Sequence, residues 1–368
     1  MDASALHRIT LPQRAAHALR RLVALLACGI AQAPAAAQSG DIDPALPARL
    51  SDTGLYRASS STQVRADVLA FTPQYPLWSD GADKRRWIRL PAGSAIDASM
   101  PDAWQFPPGT QLWKEFSHAG RRVETRYIER TRSGAWRYAT YVWNDAGTDA
   151  ELAPARGIAA LPVSEAPQGR YAVPARSDCT ACHEGSATPV LGFGALQLSP
   201  DRDPLAVHAQ PARRDDVDLP TLMARGLLRP FDATLLQRVP RIAAASPTER
   251  AALGYLHGNC GHCHNRSGAG VPLQLTLAQS ARDAAASRTA TLSSTLGIAG
   301  RYRGAALPPD SALIAPHAPE RSVLLARMRS RAPHLQMPPL GTELTDREGS
   351  ALVERWIDQL SPVEEPSK

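Results

Sequence analysis

Residues 111–144 read QLWKEFSHAGRRVETRYIERTRSGAWRYATYVWN and set the architecture of the N-terminal half of this 368-residue chain. Apolar and polar side chains alternate over Gln111–His118, Val123–Arg130 and Ala135–Asn144, and short glycine-containing turns separate the three runs. Alternation with a period of two, broken by turns, is typical of antiparallel strands. The stretch therefore predicts a β-meander.

The same region holds most of the aromatic side chains. Six of the seven tryptophans lie between residues 65 and 150: Trp78, Trp87, Trp104, Trp113, Trp136 and Trp143. Packing in the sheet core and across strands explains them best, and a surface that binds a glycan or a partner protein is the alternative.

Residues 150–176 are rich in Pro and Ala with little periodicity, which predicts a linker or wrapping loop.

Two pentapeptides carry the chemistry. Residues 179–183 read CTACH and residues 260–264 read CGHCH, and together they use four of the five cysteines. The C-x-x-C-H spacing is the attachment signature of c-type haem, in which two thiols form thioethers and the adjacent imidazole binds the iron. It predicts two covalently attached haems c, held by Cys179, Cys182, Cys260 and Cys263, with His183 and His264 as proximal ligands. The alternative for each motif is a redox-active C-x-x-C or half of a zinc site.

The second motif lies between two helix signals. Residues 246–249 (SPTE) and 345–348 (TDRE) are capping boxes, each followed by an apolar face with helical spacing. We expect the two helices to cross near a small residue such as Gly254, as in a class I cytochrome c. Met337, followed by two prolines, is the predicted distal ligand, because a thioether opposite histidine stabilises ferrous iron and proline stiffens its loop.

For the first motif, no residue stands out as a distal ligand in the way that Met337 does for the second. Met223, His208 and His118 are candidates, and an open sixth position is the remaining alternative. His257 and His262 flank the second attachment site and are expected to contact solvent or haem propionates.

The first 37 residues have the pattern of an export signal. Four arginines precede the apolar stretch Leu22–Ala31, and Ala35-Ala36-Ala37 offers a cleavage site. We therefore expect a periplasmic protein without a transmembrane helix in its mature form, with lipidation at Cys28 as a minor alternative. Removal of residues 1–37 would lower the formal charge from +6 to +3, and no basic cluster indicates nucleic-acid binding.

These observations predict an α+β fold. The expected segments are a signal peptide (1–37), an N-terminal extension (38–64), a β-rich antiparallel domain with the first haem motif (65–240), an all-α class I cytochrome c-like domain with the second motif (241–362) and a tail (363–368).

At several segments the chain resembles a family of bacterial exported dihaem c-type cytochromes. The segments that carry the resemblance are Tyr75–Gly81, Phe106–Thr110, Lys114–Phe116, Leu191–Phe193, Leu196–Leu198 and Tyr255–Asn259. The resemblance spans roughly residues 55–362. It implies an extracytoplasmic location and two covalent haems, and it supplies no substrate.

Three functions follow as hypotheses. The first is electron transfer between an exported oxidoreductase, whose identity the sequence does not give, and the respiratory chain. The second is a haem enzyme whose open first haem acts on a peroxide or a small nitrogen compound; a β-rich segment that leads into a haem motif is similar to the β-sheet cytochromes c-prime. The third is a binding module that uses the Trp-rich region.

Overall fold

A six-stranded antiparallel sheet occupies the N-terminal half of the computed structural model, which describes residues 44–267, 274–302 and 307–361. Its strands, in spatial order, are β1 (Leu69–Ala70), β2 (Asp83–Arg89), β4 (Gln111–His118), β5 (Arg121–Arg130), β6 (Trp136–Trp143) and β7 (Ala150–Leu152). Every neighbouring pair in this order is antiparallel. The predicted β-rich N-terminal half is confirmed.

Two further strand pairs accompany the sheet. The short strand β3 (Ile96–Ala98) pairs in parallel with β10 (Leu228–Phe231). The strands β8 (Ile158–Pro162) and β9 (Arg170–Val173) form a hairpin inside the segment expected to be a linker. The sequence of β8 does not alternate between apolar and polar residues, because the strand is only partly buried and its pairing with β9 is irregular.

The first C-x-x-C-H motif lies on a short helix. Strand β9 is followed within three residues by α1 (Arg176–His183), which contains the whole pentapeptide. The next helices, α2 (Leu219–Ala224) and α3 (Thr234–Gln237), are also short.

The all-α class I cytochrome c-like fold expected for residues 241–362 is wrong. Helices are sparse in this part: α4 (Pro247–Asn259), α5 (Ala284–Thr295), α6 (Val323–Met328) and α7 (Arg347–Gln359), with a single 3-10 turn before α6. Isolated bridges such as Leu296↔Ile314 and Ala312↔Ser322 link the irregular chain between α5 and α6. The capping boxes marked the start of α4 correctly and that of α7 to within one residue, but they carry no information about the proline-rich segments between the two helices.

The core around α4 and α7 also differs from the expected frame. Tyr75 and Leu196, both from the N-terminal half, belong to the same buried cluster as the apolar faces of these helices. A Cβ added at Gly254 would lie 2.0 Å from Tyr75 Cε1, so this glycine makes room for Tyr75. The two helices instead approach at Gly349, where an added Cβ would lie 2.3 Å from the ring of Tyr255.

Some predictions fall outside the described residues, namely the export signal over 1–37, Cys28 and the tail over 363–368. Among the residues that are described, no helix combines the length and apolarity that a membrane crossing requires.

Replacement of Gly254 by alanine tests the role of Tyr75. Tyr75 cannot easily move, because it is 3% exposed and its hydroxyl donates to Asp203 at 3.1 Å. We expect Gly254→Ala to lower the free energy of unfolding by about 1–3 kcal/mol through overpacking, although alanine is the better helix former.

The measurement is urea unfolding followed by circular dichroism. Gly194→Ala is the matched control, because a Cβ there meets nothing within 4 Å. A stability gain in Gly254→Ala would contradict the packing described for Tyr75.

Candidate functional site

The cysteines of both C-x-x-C-H motifs line one cavity of about 1000 Å³. Its wall contains all four motif cysteines, which carry no disulfide, together with His183 and Met337. The sheet, α4, α5 and the loop around Met337 supply the rest of the wall. A cavity of this size is large enough for a cofactor-sized molecule.

The imidazole of His183 is held in a defined tautomer. Its Nδ1 lies 2.6 Å from the carbonyl oxygen of Pro189, which can only accept, so Nδ1 carries the proton. Burial lowers the pKa of His183 to about 4, with Lys114 among the neighbouring charges that add to the effect. The ring packs against Tyr138 of β6 at a centroid distance of 5.4 Å. The Nε2 lone pair is therefore free to bind a metal, the arrangement that a metal-ligating histidine requires.

The second motif follows directly on α4. Ser246 caps the helix by accepting from the Glu249 N–H at 3.1 Å, and Cys260 is its C-terminal cap. His264 is 9% exposed and does not line the cavity, and its Nδ1 is buried with no hydrogen-bond partner among the described residues. Burial, followed by the charge of Arg327, lowers its pKa. The structure thus brings Cys260 and Cys263 to the cavity and leaves one ring nitrogen of His264 unsatisfied.

The turn after the first motif packs against the second motif. A Cβ added at Gly185, two residues after the first motif, would lie 2.8 Å from the carbonyl oxygen of His262. The Asn265 amide nitrogen lies 2.9 Å from the carbonyl oxygens of Gly185 and Gly261 and 3.1 Å from that of His262. One side chain therefore ties the turn after the first motif to the second motif.

Met337 lies in a loop that is anchored on both sides. Its backbone N–H donates to Arg327 O at 3.0 Å, and Arg331 Nε donates to Leu344 O at 2.7 Å. The N–H groups of Glu343 and Leu344 donate to the Asp80 carboxylate at 2.9–3.1 Å. The loop thereby holds the Met337 side chain in the cavity wall.

The thiols do not have the electrostatics of a redox pair. Burial raises the pKa of all four, to about 11 for Cys182 and about 12 for Cys260, with Cys263 contributing to both shifts. Redox-active C-x-x-C pairs have a lowered thiol pKa. Nor does the described part of the chain contain a group of three or more His, Cys, Asp and Glu side chains arranged to hold a metal ion. A haem iron needs only one or two axial protein ligands.

The candidates for the first distal ligand lie elsewhere. His208 bonds both oxygens of Asp346 at 2.9 Å, His118 packs against Tyr171 at 5.7 Å, and Met223 packs on the core below the sheet. None of these three side chains lines the cavity.

Other residues reach the cavity that the sequence did not single out as part of a site. His257 and His262, expected to meet solvent or propionates, line its wall, and burial lowers the pKa of each to about 4. Lys114 also lines the cavity wall. Its position there depends on how β4 pairs with the neighbouring strands, which the sequence alone does not reveal. Four of the six clustered tryptophans are at most 6% exposed, which favours packing over ligand binding: Trp87, Trp104, Trp113 and Trp143.

Comparison of the chain with protein-family models, with curated proteins and with solved structures gives no match. The resemblance to dihaem cytochromes therefore stays a prediction from the residues themselves.

The Asn265 bridge gives a direct test of the contact between the motifs. We expect Asn265→Ala to lower the free energy of unfolding by about 1–3 kcal/mol, because three carbonyls lose their donor. Urea unfolding measures it. Asn144→Ala is the control, since Asn144 is exposed and the described bonds of its side chain go to Thr148 in the same turn. Equal stability of the two variants would show that the bridge contributes nothing.

Proposed function

We propose that the chain is an exported dihaem c-type cytochrome that carries electrons between an oxidoreductase partner and the respiratory chain. The observation that carries this proposal is that the cysteines of both C-x-x-C-H motifs line one cavity, where the turn after the first motif packs against the second. A relay needs its redox centres close together, and these motifs meet through Gly185 and Asn265.

The residues present fit haem c at the first motif. Cys179 and Cys182 line the cavity, and His183 has its Nδ1 proton committed to a carbonyl. At the second motif the two thiols and Met337 line the cavity, while His264 is buried with one ring nitrogen that no described residue bonds. When bound, haem c supplies a one-electron iron couple whose potential depends on axial ligation and burial.

The chain's own residues would do two things in such a relay. His183, fixed by Pro189 O, would keep its ligating nitrogen in place through oxidation and reduction, which lowers the reorganisation that each transfer requires. Met337, on its anchored loop, would offer a thioether that favours the reduced state.

A haem enzyme is the second candidate, and one observation favours it. Met223, His208 and His118 all lie away from the cavity, so none is placed to close the distal side of the first haem. An open position there would admit a small ligand.

Paired cysteine substitutions test the cofactor content. The full chain, expressed with export and haem attachment, should carry two covalent haems, and both Cys179→Ala/Cys182→Ala and Cys260→Ala/Cys263→Ala should carry one. Intact-mass spectrometry and the pyridine haemochrome assay give the count. A protein that carries no haem after export would overturn the proposed function.

Spectra with carbon monoxide separate the two candidate functions. For a relay we expect two low-spin haems that do not bind carbon monoxide, and Met337→Ala should convert one of them to a high-spin, carbon monoxide-binding form. Met100→Ala is the matched control, since Met100 is half exposed and does not line the cavity. A high-spin, carbon monoxide-binding haem in the unmodified protein would favour the enzyme, and an unchanged spectrum of Met337→Ala would exclude Met337 as a ligand.

A further inference from the structure

Three cationic side chains form a row across the cavity side of the sheet. Arg86 on β2 is paired with Lys114 on β4, and Lys114 is paired with Arg126 on β5. Residues paired directly across antiparallel strands share a face and have Cβ atoms about 4.5–5.5 Å apart. All three side chains line the cavity that holds the C-x-x-C-H motifs. Three like charges therefore converge on one wall.

Within the described residues, the row meets little negative charge. Arg126 Nε donates to Glu124 Oε1 at 2.6 Å, but Tyr171 shares that oxygen at 2.9 Å. Among the residues that the structure describes, Arg86 Nη1 reaches only the amide oxygen of Gln210, at 3.4 Å, and its buried Nη2 has no partner. Lys114 Nζ lies over the Phe116 ring at 4.9 Å, with no hydrogen-bond acceptor among the described residues.

This arrangement is costly without an anion. Arg86 is 6% exposed, and like charges directly opposite each other in a sheet are destabilising. Burial and then the neighbouring charge of Arg86 lower the pKa of Lys114 well below its ordinary value, and burial lowers that of Arg86 to about 10. A bound anion would supply both the missing acceptors and the missing charge.

We propose that Arg86, Lys114 and Arg126 bind carboxylates in this cavity, and that the carboxylates are the propionates of the haem attached at the first motif. The identification of the carboxylates as haem propionates rests on the proposed function. That the three side chains form a carboxylate site does not depend on it. A guanidinium offers paired N–H donors that match a carboxylate, and lysine adds a point charge. The first motif is close to the row, since Cys179, Cys182 and His183 line the same cavity. The His183 ring packs against Tyr138, which lies on the same face of the sheet as Arg126, on the neighbouring strand β6.

The experiment compares single variants of the full, exported chain. Lys114→Met and Arg86→Gln remove charge from the row, and Lys114→Arg retains it. Arg85→Gln is the matched control, because the Arg85 side chain, one residue before Arg86 on β2, lies on the opposite face of the sheet and is itself exposed. Circular dichroism verifies folding. The readouts are the midpoint potential of each haem, the carboxylate bands in ferrous-minus-ferric infrared difference spectra, and calorimetric titration with succinate.

If the row binds propionates, Lys114→Met and Arg86→Gln lower the midpoint potential of one haem and shift its carboxylate bands. Lys114→Arg and Arg85→Gln leave both unchanged, and succinate does not bind the haem-loaded protein. If succinate binds the purified protein and Lys114→Met weakens it tenfold or more, the row is a carboxylate site for a free ligand, and the propionate assignment is overturned.

Two results would contradict carboxylate binding by Arg86, Lys114 and Arg126. One is succinate binding that is equal in Lys114→Met, Arg86→Gln and Arg85→Gln. The other is no succinate binding together with unchanged potentials and carboxylate bands in every variant. If the purified chain carries no haem, the proposed function fails. The succinate titration alone then decides whether Arg86, Lys114 and Arg126 bind carboxylates.

Discussion

The insertion of Tyr75 against α4 is the contact on which the two halves of the chain depend. Gly254 and Gly258 leave a groove on the helix, where an added Cβ would lie 2.0 Å from the Tyr75 ring and 2.4 Å from its carbonyl oxygen. From this point residues 75–81 run along the C-terminal half: the Trp78 N–H donates to Asn259 Oδ1 at 2.7 Å, and Asp80 accepts from the loop after Met337. The sheet, the second motif and the methionine loop are thereby fixed relative to one another.

Local pattern was sufficient for much of the fold. The strand β4 occupies the residues that alternation predicted, Gln111–His118, and Ser246 caps α4 as its sequence indicated. Both features depend on neighbours within a few residues, which is why periodicity and capping chemistry reveal them. The second capping box starts its helix one residue later than expected, because Asp346 rather than Thr345 accepts from the Gly349 N–H.

What sequence could not supply depends on distant contacts. Gly254 suggested a helix crossing by its size, but the side chain that fills the space is Tyr75, far away in the chain. His208 has the chemistry of a haem ligand, yet its ring is committed to Asp346, which also accepts from Tyr255 at 2.9 Å. Residue type identifies what can bind a metal, and only packing places it in the cavity. The row of Arg86, Lys114 and Arg126 became visible only once the register joined three strands.

The large sequence separation of the contacts made by Tyr75–Gly81 bears on how the chain folds. The bond from Trp78 to Asn259 spans 181 residues, and those from Asp80 to Glu343 and Leu344 span 263 and 264. Contacts of such separation form late, because the entropy of closing a long loop is lost before the contact can repay it. The cavity wall around Cys179 and Cys182 is completed by α4, α5 and the Met337 loop, which all come from later in the chain. Closing the cavity over the first pair of thiols therefore depends on contacts of long sequence separation.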